Sequence, residues 1–139
     1  MRRILIVDDD PTTCRLIQRV LTPRGYAVET AADGPTALQM LAASPPDLLI
    51  TDVMMPRLTG WSVFARARRQ VPTLPIIVMS GVDTGGWHQE RSLADRAVFL
   101  RKPFALDQLV ATVTRLLAEI RPELDTMPVQ NGDEDVEGQ

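Results

Sequence analysis

The sequence has a single cysteine and no long apolar run, and each shortage excludes a class of protein. Its one cysteine, Cys14, cannot form an internal disulfide, so nothing requires an oxidising compartment. No apolar run approaches the ~20 residues that span a bilayer. The basic start at residues 1–3 resembles a signal peptide, but the acids at residues 8–10 end the first apolar run after four residues. We therefore expect no secretion signal, no membrane insertion and a cytoplasmic location.

Charge is also unevenly distributed along the chain. Residues 1–120 carry 14 basic and 12 acidic residues, whereas residues 121–139 carry one basic and six acidic residues. A weakly charged body with an acidic end lacks the basic face of a nucleic-acid-binding protein, so we predict no direct contact with nucleic acid. Of the 15 basic residues only Lys102 is a lysine. This position therefore suggests a need for a compact ammonium rather than a planar guanidinium.

Short apolar runs alternate with segments of helical periodicity. The runs are continuous, which is typical of strands covered on both faces, and the alternation predicts an α/β domain with a parallel sheet. In the first helix, Leu16, Ile17, Val20 and Leu21 form the predicted buried stripe. The predicted strands cover residues 4–7, 26–31, 48–51, 76–79 and 98–100, and the helices cover 11–21, a short segment from 34, 61–70, 84–95 and 106–120.

The helical periodicity vanishes beyond Arg121, where proline, asparagine, glycine and acids dominate. Such a composition cannot bury enough apolar surface to fold. We therefore assign residues 1–121 to one domain and residues 122–139 to an acidic flexible tail or linker.

Polar residues stand at the carboxyl ends of four predicted strands. The run Asp8–Asp10 follows the first strand, and Asp52, Ser80 and Lys102 follow the third, fourth and fifth. One such residue alone is usually a helix cap or a turn, and Asp10 before a proline is expected to cap the next helix. Several carboxylates at one sheet edge would repel one another unless a cation lay among them, and hard oxygen ligands suit Mg²⁺. Together these residues predict a site that holds a small anion next to a metal.

Four ordered blocks resemble the receiver domain of response regulators, the phosphoryl-accepting part of two-component signalling. They are ILIVDDDP at residues 4–11, LITDVMMP at residues 49–56 followed by Gly60, IVMSG at residues 77–81 and LRKPF at residues 100–104. The resemblance covers residues 2–120. The family that it indicates includes the chemotaxis receiver. The resemblance implies a flavodoxin-like fold, with a five-stranded parallel sheet of order 2-1-3-4-5 flanked by five helices.

The resemblance also implies the roles of the acidic residues. Asp52 would accept the phosphoryl group. Asp9 and Asp52 would bind Mg²⁺ directly, Asp8 would act mainly through water, and the backbone carbonyl of Met54 would be a further ligand. Since Met54 and Val82 would flank the path of the hydrolytic water and both are apolar, we expect slow dephosphorylation.

A second group of residues would form the switch. Ser80 would hydrogen-bond the phosphoryl oxygens, Lys102 would pair with them, and the Lys102–Pro103 bond would be cis. Phe99 matches the switch aromatic, which would alter the surface formed by helix 84–95 and the fifth strand. The resemblance implies a sensor histidine kinase or histidine phosphotransfer protein as donor and an unknown protein as target. It also allows phosphorylation to drive homodimer formation.

On this interpretation the chain is not an enzyme in the ordinary sense, because it catalyses only its own Mg²⁺-dependent phosphorylation and slow dephosphorylation. A Mg²⁺-dependent phosphatase with an aspartate nucleophile is one alternative, but it needs a second acid where Met54 stands. A binding module that never turns over phosphate is another, yet the acceptor, the acid pair and the lysine are all present. A receiver cut from a longer hybrid protein, with residues 121–139 as linker, is a third.

Overall fold

The structure, a computed structural model, describes residues 1–55, 57–81 and 96–118. Its strands are β1 (Arg3–Val7), β2 (Ala27–Ala31), β3 (Leu48–Asp52), β4 (Ile76–Ser80) and β5 (Ala97–Arg101). Its helices are α1 (Pro11–Leu21), α2 (Gly34–Ala43), α3 (Gly60–Gln70) and α4 (Leu106–Ala118), with a 3-10 turn at Thr22–Arg24. The predicted helix over 84–95 and the predicted tail over 122–139 lie outside the described residues. Within the described ranges no helix has the length and apolarity needed to cross a bilayer.

The five strands form one parallel sheet of order β2-β1-β3-β4-β5, as the resemblance predicts. The strand order reverses between β1 and β3, and the crevice outside such a reversal is where ligands bind in open α/β sheets. Val7 pairs with Thr51, Asp52 with Met79, and Ser80 with Arg101. This register brings the carboxyl ends of β1, β3, β4 and β5 to one edge of the sheet.

Helices cover both faces of the sheet, which explains why its central strands β1, β3 and β4 are mostly apolar. Helices α1 and α4 pack on one face, and α2 and α3 pack on the other. Within β1, Ile4 and Ile6 face α1 and α4, whereas Leu5 and Val7 face α2 and α3. Each of these side chains is almost fully buried, which contributes about 1.5–3 kcal/mol per residue. The strand ends that carry the polar residues are therefore fixed by a core on both sides.

Helices α1 and α2 begin immediately after strand ends because aspartates cap them. Asp10 Oδ1 accepts a hydrogen bond from the amide of Thr12 at 2.9 Å, and Asp33 Oδ1 accepts one from the amide of Thr36 at 2.8 Å. Such caps contribute about 1 kcal/mol each. The expected capping role of Asp10 is confirmed, and it leaves the two preceding acids between β1 and α1.

Candidate functional site

Three carboxylates meet where β1 and β3 end. Ligand atoms of Asp8, Asp9 and Asp52 all lie within 4.8 Å of one another. Asp8 and Asp52 are buried, with 1% and 6% of their surface exposed, whereas Asp9 is exposed. The buried pair loses most of its contact with water, so its charges need compensation from the protein or from a bound ion.

Lys102, directly beyond β5, supplies one compensating charge. Its Nζ lies 3.0 Å from Asp8 Oδ2 and 3.6 Å from Asp52 Oδ1. Burial alone would lower the pKa of Lys102, but the hydrogen bond and charge of Asp8, followed by those of Asp52, outweigh burial and raise it. The ammonium therefore stays charged and bridges the two buried carboxylates.

Both oxygens of Asp8 already accept hydrogen bonds. Oδ1 accepts from the amide of Asp10 at 2.9 Å, and Oδ2 accepts from Lys102. The Asp8 carbonyl accepts a further bond from the thiol of Cys14 at 3.4 Å. Burial, and then the charges of Asp8 and Asp10, raise the pKa of Cys14 to about 11. Cys14 is thus a protonated packing residue rather than a nucleophile, a role that the sequence analysis did not assign.

The environment of Asp52 disfavours its charge. Burial raises the pKa of Asp52, the charge of Asp8 raises it further, and Lys102 opposes both effects. Three carboxylates facing one ammonium leave an excess of negative charge, and their oxygens are the hard ligands that Mg²⁺ prefers. Opposite ligands of Mg²⁺ stand about 4 Å apart, since each metal–oxygen bond is about 2.1 Å. Small side-chain movements from the present spacing would therefore suffice, and the residues fit the ion.

The remaining predicted site residues lie in or directly after β3, β4 and β5. Ser80 ends β4 and is fully buried, and its carbonyl accepts a hydrogen bond from the amide of Lys102 at 2.7 Å. The Lys102–Pro103 bond is cis, as expected. Met54 follows β3 with an exposed side chain. Phe99 is half-buried within β5, against the core beneath α2 and α3.

The structure adds Gly60 to the surroundings of Asp52. The amide of Gly60 donates to the carbonyl of Val53 at 2.9 Å, and a Cβ at Gly60 would overlap the carbonyl oxygen of Asp52. No side chain fits there unless the end of β3 moves. In the sequence Gly60 is part of the motif after Pro56, and a glycine at a loop end is the one available signal of a close backbone approach.

The loop between β3 and α3 is also fastened to α2. Arg57 has a left-handed backbone, with φ of 71°, and its guanidinium lies 2.9 Å from Asp33 Oδ2. Gly34 packs so closely on Leu58 that a Cβ at Gly34 would approach Leu58 Cβ to 2.6 Å. These contacts set the path of the chain after β3, and nothing in the sequence pattern signals them.

Comparisons with known proteins identify the family of this chain. The family model described as the response regulator receiver domain matches residues 4–114. The response regulator MprA of Mycobacterium avium is 42% identical over 127 residues, which cover 91% of this chain and 56% of MprA. The chain thus spans about half the length of the curated relatives it matches.

Solved receiver structures have the same fold. A Francisella response regulator 1452 receiver domain has a TM-score of 0.76 and 28% identity, with 86% of this chain and 98% of that one covered. TrrA of Thermotoga maritima, solved in complex with Mg(2+)-BeF, has a TM-score of 0.72 and 30% identity, with 84% and 99% covered. The matched family model, the MprA similarity and the shared sheet order lead to one conclusion: the chain belongs to the response regulator receiver domain family of two-component systems.

Proposed function

We propose that this receiver domain accepts a phosphoryl group on Asp52. The observation that carries the proposal is the Lys102 ammonium, which lies 3.0 Å from Asp8 and 3.6 Å from Asp52 at the reversal of strand order. Because Asp8 holds Lys102 in place, the ammonium lies next to the carboxylate of Asp52. An incoming phosphoryl oxygen can therefore be met by the ammonium without a large rearrangement of the protein.

The reaction forms a bond between a carboxylate oxygen of Asp52 and the phosphorus of the donor. The bond between phosphorus and the leaving group breaks, and the bonding pair departs with that group. Phosphoryl transfer depends mostly on positioning and on neutralising the charge of the equatorial oxygens. Lys102 contributes to that neutralisation, and the hydroxyl of Ser80 supplies a hydrogen bond from the neighbouring strand end.

Asp9, Asp52 and the backbone carbonyl of Met54 would hold Mg²⁺, and Asp8 would act through water. The occupied oxygens of Asp8 support that division, because each already accepts one hydrogen bond. When bound, the ion would offset the negative charge of the carboxylates and of the phosphoryl group. TrrA, a similar receiver, was solved in complex with Mg(2+)-BeF, which supports Mg²⁺ as the ion that this chain would hold.

The donor we propose is a sensor histidine kinase or a histidine phosphotransfer protein, and the target is a protein partner. Phosphorylation adds charge beside Ser80 and Lys102, and Phe99 then alters the surface of β5 and of the segment that follows β4. The domain acts as a switch and catalyses only its own modification, which it loses slowly. Homodimer formation, the absence of nucleic-acid contact and the cytoplasmic location stay predictions.

Intact-mass measurement tests the acceptor. The chain is incubated with Mg²⁺ and acetyl phosphate, and Asp52→Asn is compared with Asp10→Asn. Asparagine caps helices about as well as aspartate, so Asp10→Asn preserves α1 and changes only a neighbouring carboxylate. We expect one phosphoryl group on the wild type and on Asp10→Asn, dependent on Mg²⁺, and none on Asp52→Asn. Equal labelling of Asp52→Asn would refute the assignment.

A further inference from the structure

Helix α1 and the turn that follows it expose three arginines, which we call the α1 arginine face: Arg15, Arg19 and Arg24. Arg15 and Arg19 are one helical turn apart on the same side of α1, and Arg24 belongs to the 3-10 turn. All three are exposed. Among residues 1–55, 57–81 and 96–118, no carboxylate lies within ion-pair distance of any of them. The face therefore carries positive charge without an internal partner in the described part of the chain.

Two adjoining depressions lie along the α1 arginine face. One, of about 480 Å³, is lined by Arg15, Gln18, Arg19, Thr22 and Pro23. The other, of about 420 Å³, shares Arg19 and Pro23 and extends to α4, where its lining includes Arg24, Leu106 and Asp107. Asp107 offsets one of the positive charges, so the depressions together keep an excess of positive charge. They form a shallow groove between α1 and the start of α4.

The chain itself supplies an acidic segment that can reach this groove. Residues 121–139 contain six acids and one arginine, and four of the acids fall within residues 133–137. The segment follows α4, which packs on the same face of the sheet as α1. Residue 133 is 15 residues beyond Ala118, the end of α4, so an extended chain spans about 50 Å. Helix α1, with 11 residues, is only about 17 Å long.

We propose that the acidic segment 121–139 docks on the α1 arginine face. Each exposed ion pair contributes only about 0–1 kcal/mol, but attachment to the same chain gives an effective concentration in the millimolar range. The contact is thus weak, spread over several charges and sensitive to salt. It would cover the exposed side of α1 next to Asp9, and it does not depend on the phosphoryl chemistry.

A second basic surface provides the matched control. Arg66 and Arg69 are exposed on α3, which packs on the opposite face of the sheet from α4. If docking required only positive charge, this surface would compete with the α1 arginine face. Because α4 and α1 share one face, we expect the segment to select α1.

Paramagnetic broadening in the full chain tests the proposal. A nitroxide is attached to Asn131→Cys, while buried Cys14, with its pKa raised to about 11, stays unlabelled. Intact mass verifies a single label. At 0.01 M salt, where the Debye length is about 30 Å, the amide signals of residues 15–24 should lose more than half of their intensity. At 1 M salt, where the Debye length is about 3 Å, they should recover.

Two variants decide between sites. Replacing Arg15, Arg19 and Arg24 together with glutamine should abolish the broadening, whereas Arg66→Gln with Arg69→Gln should leave it unchanged. Unaltered broadening in the triple variant, or loss in the α3 variant, would overturn the assignment. A mixture of spin-labelled chains and isotope-labelled, nitroxide-free chains must show no broadening. Broadening in this mixture would mean that the segment docks on a second copy of the chain, and the proposal would be wrong.

Discussion

Replacing Asp52 with asparagine removes one buried charge from the carboxylate cluster and nearly preserves the shape of the side chain. Without Mg²⁺, the charge of Asp52 is disfavoured by burial and by Asp8, and it is favoured by Lys102 and by a backbone hydrogen bond from Val53. We therefore expect Asp52→Asn to stabilise the metal-free protein, although it removes the proposed acceptor.

The size of the effect follows from the distances. At an effective dielectric constant of about 20, charges at the 4.8 Å limit of the cluster repel by about 3.5 kcal/mol. The Lys102–Asp52 attraction at 3.6 Å is about 4.6 kcal/mol on the same scale. The attraction exceeds the repulsion by about 1 kcal/mol on this scale. Asp52→Asn therefore stabilises the protein only if the lost hydration of a carboxylate that is 6% exposed costs more than that difference. We expect a gain of about 1–2 kcal/mol, or about 4–8 °C in Tm.

The gain should depend on pH and on Mg²⁺. Since the folded state raises the pKa of Asp52 above its ordinary 3.8, ionisation costs the wild type stability at neutral pH. That cost decreases as the pH falls through the raised pKa and is absent below 3.8. The advantage of Asp52→Asn should shrink in the same direction. It should also shrink when Mg²⁺ is added, because the ion stabilises mainly the wild type.

Chemical denaturation in EDTA at several pH values measures the difference. Asp9→Asn is the matched control, since Asp9 belongs to the same cluster but is exposed. Water and salt screen an exposed charge, so its removal should change stability less. If Asp52→Asn were destabilising at neutral pH in EDTA, the Lys102 attraction would outweigh burial and the reasoning would fail.

Four further predictions follow from the same structure. Lys102→Arg should slow phosphorylation by acetyl phosphate despite its unchanged charge, since a planar guanidinium cannot occupy the point between two carboxylates; a wild-type rate measured by intact mass would contradict this. Gly60→Ala should destabilise the domain by about 1–3 kcal/mol in urea denaturation, because the added Cβ meets the Asp52 carbonyl; an unchanged midpoint would show that the strand end yields freely. Met54→Asn combined with Val82→Glu should accelerate decay of the phosphorylated form after donor removal, and an equal half-life would exclude apolar shielding as its cause. Deleting residues 125–139 should leave the Tm in moderate salt and the phosphorylation rate nearly unchanged, whereas a large loss of stability would mean that the tail packs on the core.

The sequence predicts the centre of the sheet well because β1, β3 and β4 are buried on both faces. A run such as residues 4–7 has few structural interpretations once acids follow it, and the strand ends then bring the polar residues together. The sequence predicts less reliably which residues of a helix are buried. Leu16 was predicted on the buried stripe of α1, and this was wrong, since it is 44% exposed. The buried stripe follows Cys14, Ile17 and Leu21, and Leu16 is about 100° around the helix from Ile17.

The site was predictable in its members but not in its internal contacts. Residue type and position at strand ends indicate Asp8, Asp52 and Lys102. That Lys102 lies closer to Asp8 than to Asp52 depends on the path of the chain beyond β5, which no pattern encodes. The Arg57–Asp33 pair likewise joins two loops that are distant in sequence.

The attachment of α3 to the end of β3 makes one side of the site more rigid than the other. The amide of Gly60 donates to the carbonyl of Val53, and Gly60 lies against the carbonyl of Asp52, so the backbone of Asp52 has little room to shift toward α3. When the charge on the Asp52 side chain changes, we therefore expect the larger displacement on the side of Ser80 and Lys102. The Gly60 amide should stay protected from hydrogen exchange throughout, serving as a fixed reference against which movement elsewhere in the domain can be measured.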